Sequence, residues 1–183
     1  LSPYTLEERI TRSYLTNDKP DAVINIVDST NIERSLYLTT ELLEMNIPMI
    51  VALNMTDAAE KAGVSIDADK LSKSLGCRVI KTSASEGTGI EDLVKNTIDI
   101  ASLKERPGSY PRFSGCIEDT LEMISVAANK FSGDLPKRWL SVNLFSRDPI
   151  LRQLLPLEEG DMNEIEDLIK SCEESNDDDS ESM

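Results

Sequence analysis

The chain has no histidine among its 183 residues. Without an imidazole, Ser–His–Asp and Cys–His catalysis are excluded, and so is every common zinc pattern. Cysteine is scarce: Cys77, Cys116 and Cys172 stand far apart and are odd in number. That suits a reducing compartment with no disulfide framework. Two of them fall within apolar-periodic stretches and read as packing residues. Basic side chains are outnumbered, 19 Lys and Arg against 34 Asp and Glu, for a net charge of −15. A nucleic-acid surface needs clustered Lys and Arg to neutralise phosphates, so a DNA-binding helix-turn-helix is excluded. Adhesion to anionic lipid is disfavoured for the same reason. No apolar run approaches the roughly 20 residues of a membrane-spanning helix. No signal-peptide pattern is present, and the chain as given reads as soluble.

What is there centres on Pro48 to Asp57, an apolar run that ends in Asn54-Met55-Thr56-Asp57. Short apolar runs of this kind read as strands buried on both faces. In such sheets ligands bind just past the carboxyl ends of the strands. A carboxylate there accepts two parallel N–H donors, which guanine offers with its ring N1–H and its 2-amino group. Adenine offers neither pattern and would leave Asp57 unpaired, a mismatch that costs such sites about 10⁴-fold or more in binding. Asn54 would tie neighbouring loops together and orient the base. The alternative is that Asn54 caps the strand and Asp57 caps the next helix. A second strand, Arg78 to Thr82, runs into Ser83-Ala84-Ser85 and then Gly87-Thr88-Gly89. Such a small-residue turn brings backbone N–H groups to where a guanine carbonyl would lie.

The remaining elements follow from periodicity and capping. Thr5 to Glu8 forms a capping box, and Leu6, Ile10 and Tyr14 then recur at helical spacing up to Asn17 to Pro20. Ala22 to Val27 reads as a buried strand ending in Asp28, a residue open to a ligand or a capping role. Thr30 to Glu33 is a second capping box, with Ile32, Leu36, Thr39 and Leu43 on one face and Asn46 as a left-handed stop. After Asp57 a short helix is predicted over 58–62, then one with Asp67 as its N-cap, ended by Gly76. Thr88 to Glu91 is a third box, followed by Ile90, Leu93, Val94, Thr97, Ile98 and Ala101. Composition changes at Arg106 to Pro111, a linker. Beyond it, helical patterns run through Ile117, Leu121, Ile124, Ala128 and Phe131, through 136–145 with Trp139 as anchor, after Asp148 as an N-cap with Pro149 at the first helical position, and through Met162, Ile165, Leu168, Ile169 and Cys172. From Glu173 the acidic, Ser-rich tail reads as disordered. Its carboxylates would be solvated by default.

Together Asn54-Met-x-Asp57 and Ser83-Ala84 resemble the two guanine-recognition motifs of small GTPase-type G domains. Asp21 to Leu42, then Ile47 to Asp57 with Met55 after the Asn, is similar to the G domain of the ferrous iron transport protein B (FeoB) family. Leu1 to Glu8 resembles the segment after that family's Asp-x-Pro-Gly motif. Lys137 to Leu144 resembles part of its helical domain. The resemblance implies an α/β fold, a partial parallel-sheet G domain of P-loop NTPase type over residues 1–104, then a small all-α domain over 105–172 and a disordered tail over 173–183. It implies a guanine site made by Asn54, Met55, Asp57, Ser83, Ala84 and Ser85, with Met55 an apolar contact to base or sugar. It implies switch II for the first helix. The ligand implied is GTP or GDP, with Mg²⁺ in the parent protein.

No Gly-x-x-x-x-Gly-Lys-Ser/Thr occurs, so there is no backbone cradle for a β-phosphate and no Mg²⁺ site. The Gly87-x-Gly89 turn lacks the Lys. The switch I threonine and Asp-x-Pro-Gly are missing too. The expectation is an N-terminally truncated piece, with negligible GTP affinity alone and an open apolar edge on the strand at 22–27. In the parent, GTP binding and slow hydrolysis would regulate Fe²⁺ uptake through a membrane transport domain of the same polypeptide. The piece would lie on the cytoplasmic side of the inner membrane, with no nucleic-acid partner and with a homo-oligomer of the parent left open. The competing reading is a protein-interaction module with an acidic surface.

Overall fold

A computed structural model describes residues 6–110, 112–113, 115–149, 151 and 155–176. Helix α1 (Leu6–Asn17) precedes strand β1 (Val23–Asp28). A 3-10 turn (Ser29–Asn31) leads into α2 (Ile32–Glu44), β2 (Met49–Asn54), α3 (Thr56–Lys61) and α4 (Ala68–Leu75). Then come β3 (Arg78–Lys81) and α5 (Ile90–Leu103). The last elements are α6 (Cys116–Ala127), a 3-10 turn (Ala128–Lys130), α7 (Lys137–Phe145) and α8 (Glu159–Asn176). The chain divides into two compact units, built mainly on Thr11–Pro111 and Arg112–Met183. The α/β class with a following all-α unit is the architecture expected.

The first unit is a parallel sheet in the order β1-β2-β3. Register pairs Ile24 with Ile50, Ile26 with Ala52, and Asp28 with Asn54. Strand β2 is central and its residues from Met49 to Leu53 are all buried. Parallel strands joined by helices are covered on both faces, hence the unbroken apolar run. On one face Ile50 and Ala52 pack with Leu93 and Ile100 of α5. On the other, the buried Asn25 amide donates to Thr39 of α2 at 2.7 Å, which satisfies a polar group in the core.

Strand β1 departs from the expectation of a fully buried strand. Ile24 is 42% exposed and Ile26 68%. By register both lie on the α5 face, and β1 has β2 as its one neighbour among the described residues. The expected α5 stripe is also largely uncovered: Leu93 is buried but Ile90, Val94 and Ile98 are exposed, and Ile100, outside that stripe, is buried instead. On α1, Ile10 and Tyr14 are exposed while Leu15 is buried. Thr5 lies outside the described residues.

Two capping boxes give way to local competitors. Helix α2 starts at Ile32, because Asp28 takes the backbone N–H of Thr30 at 2.8 Å and winds the 3-10 turn ahead of it. At α5 the N-cap is Gly89 with φ of +74°, and a Cβ there would sit 2.0 Å from the Lys81 carbonyl. Only glycine fits that approach. Asp67 does cap α4, accepting from Lys70 N at 3.0 Å, and Gly76 closes it in the left-handed region. The expected linker is tied back to the sheet unit: Arg106 donates to the Asn46 carbonyl, and Gly108 to that of Gly76, each at 2.8 Å.

In the second unit α6, α7 and α8 bury Ile124, Leu140, Leu144, Ile165 and Ile169, with Trp139 3% exposed. Asp148 accepts from Leu151 N at 2.9 Å, the cap read in the sequence. The tail begins later than expected. Helix α8 runs to Asn176 because Glu173 pairs with Arg147 at 2.6 Å, beside Glu166 at 2.8 Å. Residues 177–183 lie outside the described residues. The cysteine expectation is corrected too: Cys116 and Cys172 form a disulfide between α6 and α8, and only Cys77 is free. Their separation of 56 residues gives no local signal.

Ile124 is fully buried, so Ile124→Ala leaves a cavity costing about 2–4 kcal/mol. The expected outcome is a lower urea midpoint with unchanged slope, read from the fluorescence of Trp139.

Candidate functional site

Asn54 ends β2 at the carboxyl rim of the sheet. Met55 follows in the left-handed region, φ of +62°, at the N-cap of α3. For a side-chain-bearing residue that conformation costs about 1–2 kcal/mol. It turns the chain from strand to helix within one residue, which puts Asp57 in the first turn of α3 on the same rim as Asn54. The Met55 carbonyl takes the N–H groups of Ala58 and Ala59, at 3.1 and 3.0 Å, holding the turn.

The loop after β3 is laced to this turn. Thr82 N donates to the Leu53 carbonyl at 2.8 Å. Thr56 Oγ1 donates to the Thr82 carbonyl at 3.0 Å. Asn54 Oδ1 accepts from Ala84 N at 3.1 Å and from Thr82 Oγ1 at 3.3 Å. Ser83, buried, donates its hydroxyl to Asp57 Oδ1 at 2.7 Å and lies 3.1 Å from Ser85 Oγ. A hydroxyl has one proton, so Ser85 is the donor to Ser83, giving a chain Ser85 to Ser83 to Asp57. Ser83 and Thr88 exchange backbone hydrogen bonds at 3.1 Å each way, which closes the loop.

All six residues singled out in the sequence therefore meet at one rim. Asn54 and Asp57 are partly exposed, and Met55 is 42% exposed. Asn54 Nδ2 makes no hydrogen bond among the described residues, while Oδ1 is occupied. Ala84 N points back to Asn54, which differs from an amide left free for a ligand carbonyl. Thr82 and Lys61 were not anticipated. Thr82 was read only as a strand end, and Lys61 is signalled by its i+4 spacing from Asp57, at 3.6 Å from Oδ2. Lys61 is largely exposed, also 3.9 Å from Glu86, and contributes little. Asp28, paired in register with Asn54, is committed to Thr30 and serves as a cap.

The Ser83 hydroxyl, helped by the Lys61 charge, holds the Asp57 carboxyl below its ordinary pKa of 3.8. Asp57 is thus ionised and acceptor-only at neutral pH. Each carboxylate oxygen has two lone-pair sites, so Oδ1 and Oδ2 both retain room for an incoming N–H. The residues fit a guanine edge. They do not fit phosphates or Mg²⁺: no Lys and no backbone cradle accompany Gly87 and Gly89, and Gly87 faces open space.

Comparisons with known proteins converge. A family model described as ferrous iron transport protein B matches residues 1–97. Another, the FeoB cytosolic helical domain, matches residues 113–183. The Fe(2+) transporter FeoB of Salmonella typhimurium is 38% identical over 150 residues, 80% of this chain and 19% of that protein. The Fe(2+) transporter FeoB of Escherichia coli K12 is 39% identical over the same length. The chain thus spans about a fifth of the length of these curated relatives. Among solved structures, a GDP-bound S. thermophilus NFeoB mutant superposes with a TM-score of 0.93 at 35% identity, over 99% of this chain and 70% of that one. A GMPPNP-bound NFeoB mutant of S. thermophilus gives 0.92 at 36% identity, with the same coverage.

A lowered Asp57 pKa means that the Ser83 bond stabilises the fold above the ordinary carboxylate value. That contribution is lost as pH falls through the lower folded value. Ser83→Ala is expected to move the Asp57 pKa up toward 3.8, as read by carboxyl-carbon NMR titration, and to shrink this acid-side loss.

Proposed function

The chain belongs to the ferrous iron transport protein B family, and from that membership we propose that its first unit is the base-recognition part of a guanine-nucleotide domain. Asp57 accepts the ring N1–H and the 2-amino group. Asn54 Nδ2 donates to the opposite edge of the base, while its Oδ1 keeps the two loops together. Met55 supplies an apolar contact to base or sugar. Ser83 and Ser85 fix the carboxylate, and Ala84 closes the loop beside it. The observation that carries this reading is the hydrogen-bonded lacing of Asn54 and Asp57 to the 82–85 loop. It leaves an ionised, partly exposed carboxylate and an Asn54 amide donor with no hydrogen bond among the described residues. The GDP-bound and GMPPNP-bound relatives support it.

Phosphates and Mg²⁺ are not held by these residues, and no hydrolytic step is assigned to them. When bound in a complete domain, the metal supplies charge neutralisation at the phosphates. The helical unit built on α6, α7 and α8 follows the G-domain part along the chain, as in the family. In the whole protein, nucleotide state would regulate Fe²⁺ movement through a membrane transport domain of the same polypeptide, with this part on the cytoplasmic side of the inner membrane. Among the described residues no helix is long and apolar enough to cross a membrane.

A site of base contacts alone is weak, with a Kd of about 1 mM or above, equivalent to about −4 kcal/mol. Guanosine at such concentrations is expected to shift the amide resonances of Asn54, Asp57 and Ala84, and adenosine is not. Asp57→Asn should exchange guanosine for xanthosine, whose 2-oxo group accepts where guanine donates. Equal response to adenosine, or no response, would favour the acidic interaction module with Asn54 and Asp57 as loop locks.

A further inference from the structure

We propose that Cys116 and Cys172 are a reversible thiol–disulfide redox site that fastens the start of α6 to the last turns of α8. This is independent of the guanine reading, because it lies in the other unit. The two Cα atoms are 5.9 Å apart, inside the span of about 4.4–6.8 Å that a disulfide requires. No backbone movement is needed to make or break the bond. The two sulfurs are unequal in access: Cys116 is half-buried and Cys172 is 2% exposed. An external thiolate therefore reaches Cys116 Sγ first.

The surroundings suit the exchange chemistry. Asn176 Nδ2 donates to Cys116 Sγ at 2.7 Å and lies 3.5 Å from Cys172 Sγ. The same amide is anchored by the Cys172 carbonyl at 3.2 Å. It thus stands ready to stabilise negative charge on either sulfur as it leaves. Cys116 is also the first residue of α6, whose N-cap Gly115 supplies no side-chain acceptor for the first-turn N–H groups. Those groups favour a thiolate at that position. Cys77 has none of this. It is buried, and desolvation pushes its thiol up to about 11.

The reaction balances with a small thiol and its disulfide as the couple. A thiolate attacks Cys116 Sγ, forming a mixed disulfide and releasing the Cys172 thiolate, which takes a proton. A second thiolate attacks the small-molecule sulfur of the mixed disulfide, forming the small disulfide and releasing Cys116. In total two electrons enter the protein and one disulfide leaves as product; oxidation is the reverse. Reduction removes the covalent tie, but the Arg147 pairing with Glu166 and Glu173 remains. The reduced unit therefore stays folded while the α8 end beyond Glu173 loosens.

The test uses the whole chain, equilibrated with mixtures of oxidised and reduced glutathione, quenched by alkylation and weighed by mass spectrometry. The expected result is a two-electron transition at Cys116 and Cys172 with Cys77 unmodified in the folded protein. The oxidised form should melt about 5–10 °C higher than the reduced form, by the constraint on the unfolded chain. Amide exchange over 174–176 should quicken on reduction. Cys116→Ser abolishes the melting difference. Asn176→Ala slows reduction by dithiothreitol about 3- to 10-fold, the effect of one lost hydrogen bond to the leaving sulfur, and leaves the melting of the reduced form unchanged. The proposal is overturned if the pair stays oxidised in excess dithiothreitol, stays reduced in excess glutathione disulfide, or melts alike in both states.

Discussion

Two loops at one end of the sheet are held together by side chains rather than by strand pairing, and the candidate site is that lacing. Asn54 Oδ1 and Asp57 Oδ1 each take a donor from the loop after β3, from Ala84 N and Ser83 Oγ. A hydrogen bond to a charged acceptor is stronger than a neutral one, and together these bonds tie down the turn in which Met55 takes a conformation other residues avoid. Remove the acceptors and the α3 turn loses its reason to stand where it does. The left-handed Met55, the Thr56 bond to Thr82 and the Ser83–Thr88 bridge follow from the same constraint.

The opposite condition holds on the α5 face of β1. Ile24 and Ile26 project there beside a helix whose Ile90, Val94 and Ile98 are also exposed. Single exposed apolar residues need no explanation, but five on one edge strand and one helix flank amount to a patch. The sheet is thus well closed where β2 runs and open where β1 ends. The rim bearing Asn54 and Asp57 belongs to the closed part. Its geometry rests on β2, β3 and their loops, and none of its hydrogen bonds uses the open face.

This division explains what could be read from residues alone. Asn54-x-x-Asp57 and Ser83-Ala84 were legible because strand ends and small-residue turns are local signals. So were Asp67 and Asp148 as caps, each with its donor three residues on. Periodicity identified which residues of α1 and α5 share a face, but not whether anything covers that face. Hence Ile10, Tyr14, Ile90, Val94 and Ile98 read as core and are exposed. The Thr30 and Thr88 boxes lost to competitors a pattern does not weigh, the Asp28 carboxylate and the close approach of Gly89 to Lys81. Asn25 inside an apolar strand finds Thr39 fourteen residues away, and Cys116 finds Cys172 across two helices. Neither pairing has a spacing rule.

Asp57 is half-satisfied before any ligand arrives. Ser83 supplies one donor and Lys61 a distant charge. A fully unpaired buried carboxylate would destabilise the empty domain, and a fully paired one would have nothing to offer a base. The intermediate arrangement lets the rim stay ordered when empty and keeps acceptor capacity in reserve, which is what preorganisation requires. On the guanine reading proposed above, selectivity comes from the ligand that fails. Adenine would displace water from Asp57 and return no donors, so discrimination is set by the desolvated carboxylate rather than by total affinity. Base choice and phosphate affinity are therefore separable on this fold. On that reading, Asn54, Asp57 and their laced loop carry the base specificity of a guanine site, while tight binding depends on phosphate contacts that these residues do not make.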